Sequence, residues 1–160
     1  MNENGGKPTV VIVDDEQMVV TSLTALLGLE DAFDVHGFTD PMEAEQFIES
    51  HAVDVAVSDY RMPKMNGLQL LRRVREVQPE SSRMLLTSHA DAQSAIDAIN
   101  QLALFQYLEK PWENEQFLLA VRSGVERSQL IRDLRQKAEA LDSAQGLLKN
   151  AHKRLVHAFL

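Results

Sequence analysis

Asp14 and Asp15 stand side by side after the β-branched run Thr9-Val10-Val11-Ile12-Val13, and Asp59 closes a second apolar run at 53–58. Thr87 ends a third, Arg83-Met84-Leu85-Leu86-Thr87, and Lys110 follows a fourth at 105–109 with Pro111 beside it. Carboxylates held close together raise one another's pKa unless a cation neutralises them. A hard divalent ion with oxygen ligands does so, and Mg²⁺ suits a few carboxylates with water and a phosphate. With that charge cancelled, one carboxylate can attack phosphorus and carry an aspartyl-phosphate. The Lys110 ammonium can balance phosphoryl oxygens as a point charge, and the Thr87 hydroxyl can donate a hydrogen bond to another. Each residue alone has a plainer reading. Asp-Asp is a helix start, Asp59 before Pro63 and Gly67 a turn residue, Thr87 a strand hydroxyl, and Lys110-Pro111 a solvated loop. Weight comes only from their joint placement.

That placement depends on the elements that carry them. The run 9–13 is a strand. Val19, Val20, Leu23, Leu26 and Leu27 follow at helical spacing, and Gly28 can end that helix. A weaker strand at 33–38 is followed by Pro41, suited to the first turn of a helix reaching about Ser50. The strand at 53–58 leads to a helix marked by Leu68, Leu71, Val74 and Val77, which Pro79 closes. The strand at 83–87 precedes a helix carrying Ala95, Ile96, Ile99 and Leu102, with Asp91 its expected N-cap. The last strand is 105–109. Five strand–helix units in series predict a parallel sheet covered on both faces, with right-handed connections. Sites in such folds lie at the carboxyl ends of strands. Asp14 with Asp15, Asp59, Thr87 and Lys110 occupy four of those ends.

Composition bounds the rest. With 44% hydrophobic and 25% charged residues, the chain can bury a core, which excludes wholesale disorder. No apolar run approaches the roughly 18 residues of a membrane span, and Met1 to Lys7 lack the pattern of a signal peptide. Cysteine is absent, so disulfides, thiolate metal sites and a cysteine nucleophile are excluded. A cytoplasmic protein is expected. The net charge of −8 divides into −12 over residues 1–126 and +4 over 127–160. So acidic a body does not attract DNA through its general field. It suits Mg²⁺ or a basic partner surface.

From Glu113 onward there is no proline. A helix over 113–159 would be about 70 Å long, against a radius of gyration of about 14 Å for a domain of this size. Leu134, Leu141, Leu148 and Leu155 recur every seven residues, with Ile131, Ala138, Gln145, His152 and Phe159 at the alternating position. This is a heptad seam with leucine at d and a mixed a position, and it predicts a homodimeric coiled coil through 127–160. Gln145 and His152 weaken the coil and can fix its register. The plainer reading is one helix folded back on the body. No helix-turn-helix or basic region follows residue 126, so no nucleic-acid partner is expected. The apolar end Val156 to Leu160 is unusual for a natural terminus and points to a fragment of a longer regulator, with an output domain beyond it.

Four stretches together carry a family resemblance. They are Val10 to Glu16, Ser58-Asp59-Tyr60-Arg61-Met62-Pro63-Lys64-Met65-Asn66-Gly67, Leu86 to Asp91, and Tyr107-Leu108-Glu109-Lys110-Pro111-Trp112. In this order they resemble the receiver domain of two-component response regulators, over 8–126, with 127–160 as a C-terminal coiled-coil extension or linker. The resemblance implies a flavodoxin-like five-stranded parallel sheet of order 2-1-3-4-5 with helices on both faces, the fifth helix running on into the coil. It implies Asp59 as phosphoacceptor, receiving phosphate from a histidine kinase or phosphotransfer protein. It implies Mg²⁺ held by Asp14, Asp15, Asp59 and the backbone carbonyl of Arg61, with Thr87 and Lys110 as phosphoryl ligands. It also implies a cis Lys110-Pro111 peptide. Thr87 and Tyr107 would then form the switch, Thr87 moving toward the phosphoryl oxygens and Tyr107 turning into the space it leaves. Arg61 and His89 take the two variable positions that influence phosphate lifetime. The Lys110-Pro111-Trp112 variant before a coil resembles receivers joined to enzymatic outputs, including cyclic-dinucleotide phosphodiesterases. On this reading the chain catalyses only its own phosphorylation and dephosphorylation. Two other classes compete with it. One is a Mg²⁺-dependent phosphohydrolase working through an aspartyl intermediate, against which stands the lack of an Asp-x-Asp after the first strand. The other is an unphosphorylated dimeric docking module, against which stands the full acidic set.

Overall fold

The computed structural model describes residues 6–159, with side chains through 158. The opening residues Met1 to Gly5, Leu160 and the Phe159 side chain of the predicted seam lie outside the described residues. The elements run β1 (Thr9–Val13), α1 (Gln17–Gly28), β2 (Asp34–Phe38), α2 (Pro41–Ser50), β3 (Val55–Asp59), α3 (Gly67–Val77), β4 (Ser82–Thr87), α4 (Ala92–Leu102), β5 (Gln106–Glu109) and α5 (Asn114–Phe159). A single 3-10 turn, His89–Asp91, precedes α4. Every strand pairing is parallel and the order is β2-β1-β3-β4-β5, the flavodoxin-like arrangement.

The strand sequences explain their position. β1, β3 and β4 are buried at every residue. Strands covered on both faces read as continuous apolar runs instead of alternating ones, and their side chains divide by parity. Val11, Val13, Ala56 and Leu85 join Ala44 and Ile48 of α2, Leu70 and Val74 of α3, and Ala95 of α4. Val10, Ile12, Val55, Val57, Met84 and Leu86 face Leu23 of α1 and Phe117 and Val121 of α5.

Local signals fix the helix starts. Asp40 caps α2 by accepting from the Met42 N–H at 2.9 Å, with Pro41 in the first position. Asn66 and Gln69 form a reciprocal capping box at α3, each bond 2.9 Å. β3 begins two residues later than the run 53–58 predicts, and ahead of it the Val53 N–H donates to Oε1 of Gln78 at 2.7 Å. One expectation is corrected at α4. Asp91 occupies the N-cap position but makes no capping bond; its carboxylate is engaged by Arg61.

The chain divides into two compact units, one through Gln129 and one from Leu130 on. Within the second unit the helix leaves Leu134, Leu141, Leu148 and Leu155 between 58% and 69% exposed. No helix among the described residues is long and apolar enough to cross a membrane.

Candidate functional site

The parallel ladder brings the four predicted strand ends to one edge. Asp14 follows β1, and its N–H donates to the Phe38 carbonyl at 3.1 Å, so the chain leaves the sheet in line with β2. Asp59 is the last residue of β3, one strand away, and pairs across the ladder with Leu86. Thr87 pairs with Glu109, and the Lys110 N–H donates to the Thr87 carbonyl at 2.8 Å. The Lys110–Pro111 peptide is cis, as the resemblance implies.

Carboxylate oxygens of Asp14, Asp15 and Asp59 lie within 4.8 Å of one another, with Asp14 and Asp59 buried and Asp15 exposed. Lys110 Nζ stands 3.2 Å from Asp59 Oδ1 and 3.6 Å from Asp14 Oδ2. Asp14 Oδ1 accepts from the Glu16 N–H at 2.9 Å, while Oδ2 is buried without a hydrogen-bond partner. Burial pushes the Asp14 carboxyl up to about 6 against the pull of the Glu16 N–H, with the neighbouring Asp59 charge adding to the rise. Burial also raises Asp59, partly offset by Lys110. Desolvation draws Lys110 down, but Asp59 and Asp14 outweigh it and hold its ammonium above the ordinary value. Three carboxylates facing one amine, with an orphaned buried oxygen among them, form a nest that lacks a positive charge. Their oxygen donors suit a hard divalent cation, so the residues present fit Mg²⁺.

Asp59 is 8% exposed. The Tyr60 N–H donates to its Oδ1 at 3.0 Å, the same oxygen that faces Lys110. Both contacts fall on one oxygen, Oδ1. The loop after Asp59 folds back onto it. The Gly67 N–H donates to the Tyr60 carbonyl at 2.8 Å, and a Cβ at Gly67 would sit 2.1 Å from the Asp59 carbonyl oxygen. Glycine is needed there for close approach rather than for a left-handed turn.

The remaining predicted residues are placed as follows. Thr87 is buried, and its Oγ1 donates to the Ser88 carbonyl at 3.2 Å, turned onto its own loop. Tyr107 is half-buried on β5 and packs against the core layer shared by α3 and α4. His89 has a side chain 91% exposed, and its Nδ1 meets Oε1 of Glu109. Arg61, two residues after Asp59, turns its guanidinium onto Asp91, with Nε to Oδ2 at 2.6 Å and Nη2 to Oδ1 at 2.8 Å. Its fork holds the Asp91 carboxyl below the usual carboxylate range. The Arg61–Asp91 pairing spans two loops, and nothing in the local pattern around Asp91 distinguishes such a residue from a helix cap.

Comparison with known proteins agrees with this geometry. The family model for the response regulator receiver domain matches residues 10–122. The hydrogenase transcriptional regulatory protein HoxA of Cupriavidus necator is 30% identical over 151 residues, which is 94% of this chain and 31% of that protein. The C4-dicarboxylate transport transcriptional regulatory protein DctD of Rhizobium meliloti is 30% identical over 143 residues, 88% of this chain and 30% of its own. This chain thus spans about a third of the length of these two relatives. Among solved structures, the signal receiver domain of an HD domain-containing protein from Pseudomonas fluorescens Pf-5 superposes with a TM-score of 0.70 at 31% identity, covering 78% of this chain and 98% of that one. A parallel sheet of this order, an acidic nest at its carboxyl edge and a family match across most of the chain lead to one conclusion: the protein belongs to the response regulator receiver domain family.

Proposed function

We propose that this chain accepts a phosphoryl group on Asp59 from a histidine kinase or phosphotransfer protein, over a receiver body at 8–126, and reports it to a downstream output. The observation that carries this reading is the cluster of Asp14, Asp15 and Asp59 with Lys110 3.2 Å from Asp59. A carboxylate oxygen of Asp59 attacks phosphorus, a new P–O bond forms, and the bond from phosphorus to the donor's imidazole nitrogen breaks with its electron pair staying on that nitrogen. Little else is asked of the protein than position and charge. Lys110 is held by its two carboxylate neighbours where it can turn to the phosphoryl oxygens. Thr87 needs only to release the Ser88 carbonyl to donate its hydroxyl to one of them. Asp14, Asp15, Asp59 and the Arg61 carbonyl would hold Mg²⁺. When bound, that ion neutralises the converging carboxylates and polarises the phosphoryl oxygens.

The phosphoryl adds about two negative charges at the strand ends. It shifts a balance between two existing states of the Thr87 loop, and Tyr107 on the neighbouring strand turns into the space vacated. His89 and Arg61 flank the site and tune how long the phosphate lasts. Residues 127–160 form a coiled coil with a second copy of this chain. Catalysis is confined to the chain's own phosphorylation and dephosphorylation.

Acetyl phosphate with Mg²⁺ tests the reading. Intact-mass measurement should show a single phosphoryl on the chain, absent in Asp59→Asn. Rapid multiple turnover of unrelated phosphoesters would mark a phosphohydrolase instead. A parent chain that takes no label would overturn the proposal.

A further inference from the structure

Asp91 occupies the N-cap position of α4 without capping it. Aspartate is among the best N-cap residues, its carboxylate accepting from the second or third N–H of the helix. Here both oxygens go to the Arg61 fork, at 2.6 and 2.8 Å, and Ser88 Oγ donates to Oδ2 at 3.1 Å. Asp91 is buried, whereas most of the Arg61 side chain is exposed. The pairing therefore clips together the loop after Asp59, the residue after Thr87 and the start of α4. Thr87 Oγ1 is turned onto the Ser88 carbonyl, on this same clipped segment.

Resting on the phosphoacceptor reading above, we propose that Arg61 is a positioning residue with two alternative partners. It grips Asp91 in the unphosphorylated chain and exchanges Asp91 for the phosphoryl group on Asp59. The guanidinium fork suits phosphate as well as carboxylate, and phosphorylation places about two negative charges only two residues from Arg61. The exchange frees the Asp91 carboxylate to turn toward the Gln93 or Ser94 N–H in the first turn of α4. It also frees the Ser88 hydroxyl, so the Thr87 loop and the start of α4 respond to the same event. Asp91 is then the resting partner of Arg61, let go once the phosphoryl group takes the fork.

The test uses the full chain as parent, Arg61→Ala, Arg61→Lys and Asp91→Ala, each followed by amide hydrogen exchange and by decay of label after phosphoramidate with Mg²⁺. Without phosphodonor, Arg61→Ala should release Asp91 to cap α4 and slow exchange at Gln93 and Ser94 by about two- to fivefold, the size of an N-cap bond. Asp91→Ala should show no slowing. Phosphate lifetime should change in Arg61→Ala but stay at the parent value in Asp91→Ala, where Arg61 still reaches the phosphoryl group. Arg61→Lys keeps the charge without the fork and should fall between. Unchanged or faster exchange at Gln93 and Ser94 in Arg61→Ala would overturn the proposal, as would equal lifetime changes in Arg61→Ala and Asp91→Ala. A parent without label overturns the phosphoacceptor reading. The exchange measurement needs no phosphate and judges the Asp91 grip by itself.

Discussion

Asp14 is enclosed at the end of β1, with one oxygen accepting from the Glu16 N–H and the other without a hydrogen bond, 3.6 Å from the Lys110 ammonium. Its pKa, raised by burial to about 6, makes stability depend on pH in the opposite sense to a salt-bridged aspartate. The folded chain holds this proton more tightly than the unfolded chain, so the contribution of Asp14 to metal-free stability is fully present below about pH 4 and is lost as pH rises through about 6. A shift of this size corresponds to roughly 3 kcal/mol across that window. Asp59 is raised for the same first reason and adds in the same direction. In EDTA, the thermal midpoint should therefore rise as pH is lowered from 7 to 5, and Asp14→Asn should be more stable than the parent at pH 7 with a flatter profile. Mg²⁺ should stabilise the parent by mass action, and more at pH 7 than at pH 5, because protons compete for the same oxygens. Equal slopes for parent and Asp14→Asn in EDTA would show that Asp14 does not carry this charge. At this scale the sequence is legible where an acid or amine stands at the end of a strand run: Asp14, Asp59 and Lys110 all occupy such ends. Asp91 is not legible in this way, because its partner Arg61 lies 30 residues away and meets it only through the packing of β3 beside β4.

Two glycines show how the elements constrain the site differently. Gly67 opens α3 with no room for a side chain, since an added Cβ would sit 2.1 Å from backbone oxygen of Asp59. The obstacle is backbone, so relief requires β3 or α3 to shift. Gly67→Ala should cost about 3 kcal/mol and move the carbonyl of Asp59. Gly124 lies inside α5, where a Cβ would meet Val55 Cγ2 at 3.1 Å and Ser82 Cβ at 3.3 Å. Those are side-chain atoms that can give by a few tenths of an ångström, and alanine gains about 1 kcal/mol of helix propensity over glycine. Gly124→Ala should therefore stay within about 1 kcal/mol of the parent. Urea denaturation of both variants, with label uptake from acetyl phosphate, checks the contrast; a Gly67→Ala chain as stable and as readily labelled as the parent would contradict it. The elements themselves were legible because strand runs and helical spacing alternate cleanly; the Asn66–Gln69 box that starts α3 emerged only in the structure. Their exact ends were less so. Ahead of β3, Val53 bonds to Gln78, a residue distant in sequence whose amide also donates to the Ile48 carbonyl at 2.6 Å.

At the scale of the molecule, the seam from Leu134 to Leu155 asks for a partner. Its four leucines are 58% to 69% exposed in the single chain, and a second copy in parallel register would cover each with its own counterpart. In that arrangement Lys137 at g faces Asp142 at e of the other copy, an opposite-charge pair made twice by symmetry. In such a coil Gln145 and His152 at a would lower stability, and affinity would rest mainly on the leucines. Leu141→Lys should weaken dimerisation at least about 100-fold, because two copies lose a buried leucine and bring two charges into contact. Lys137→Asp should weaken it only a few-fold, as expected for exposed pairs, and Asp142→Lys likewise. The double swap Lys137→Asp with Asp142→Lys should recover most of the loss, since it restores opposite charges across the same positions. Sedimentation equilibrium of these four variants distinguishes a seam-driven parallel pair from association elsewhere on the chain. A parent that is monomeric at high micromolar concentration, or a Leu141→Lys variant that dimerises as tightly as the parent, removes the coil from the account while leaving the chemistry at Asp59 untouched.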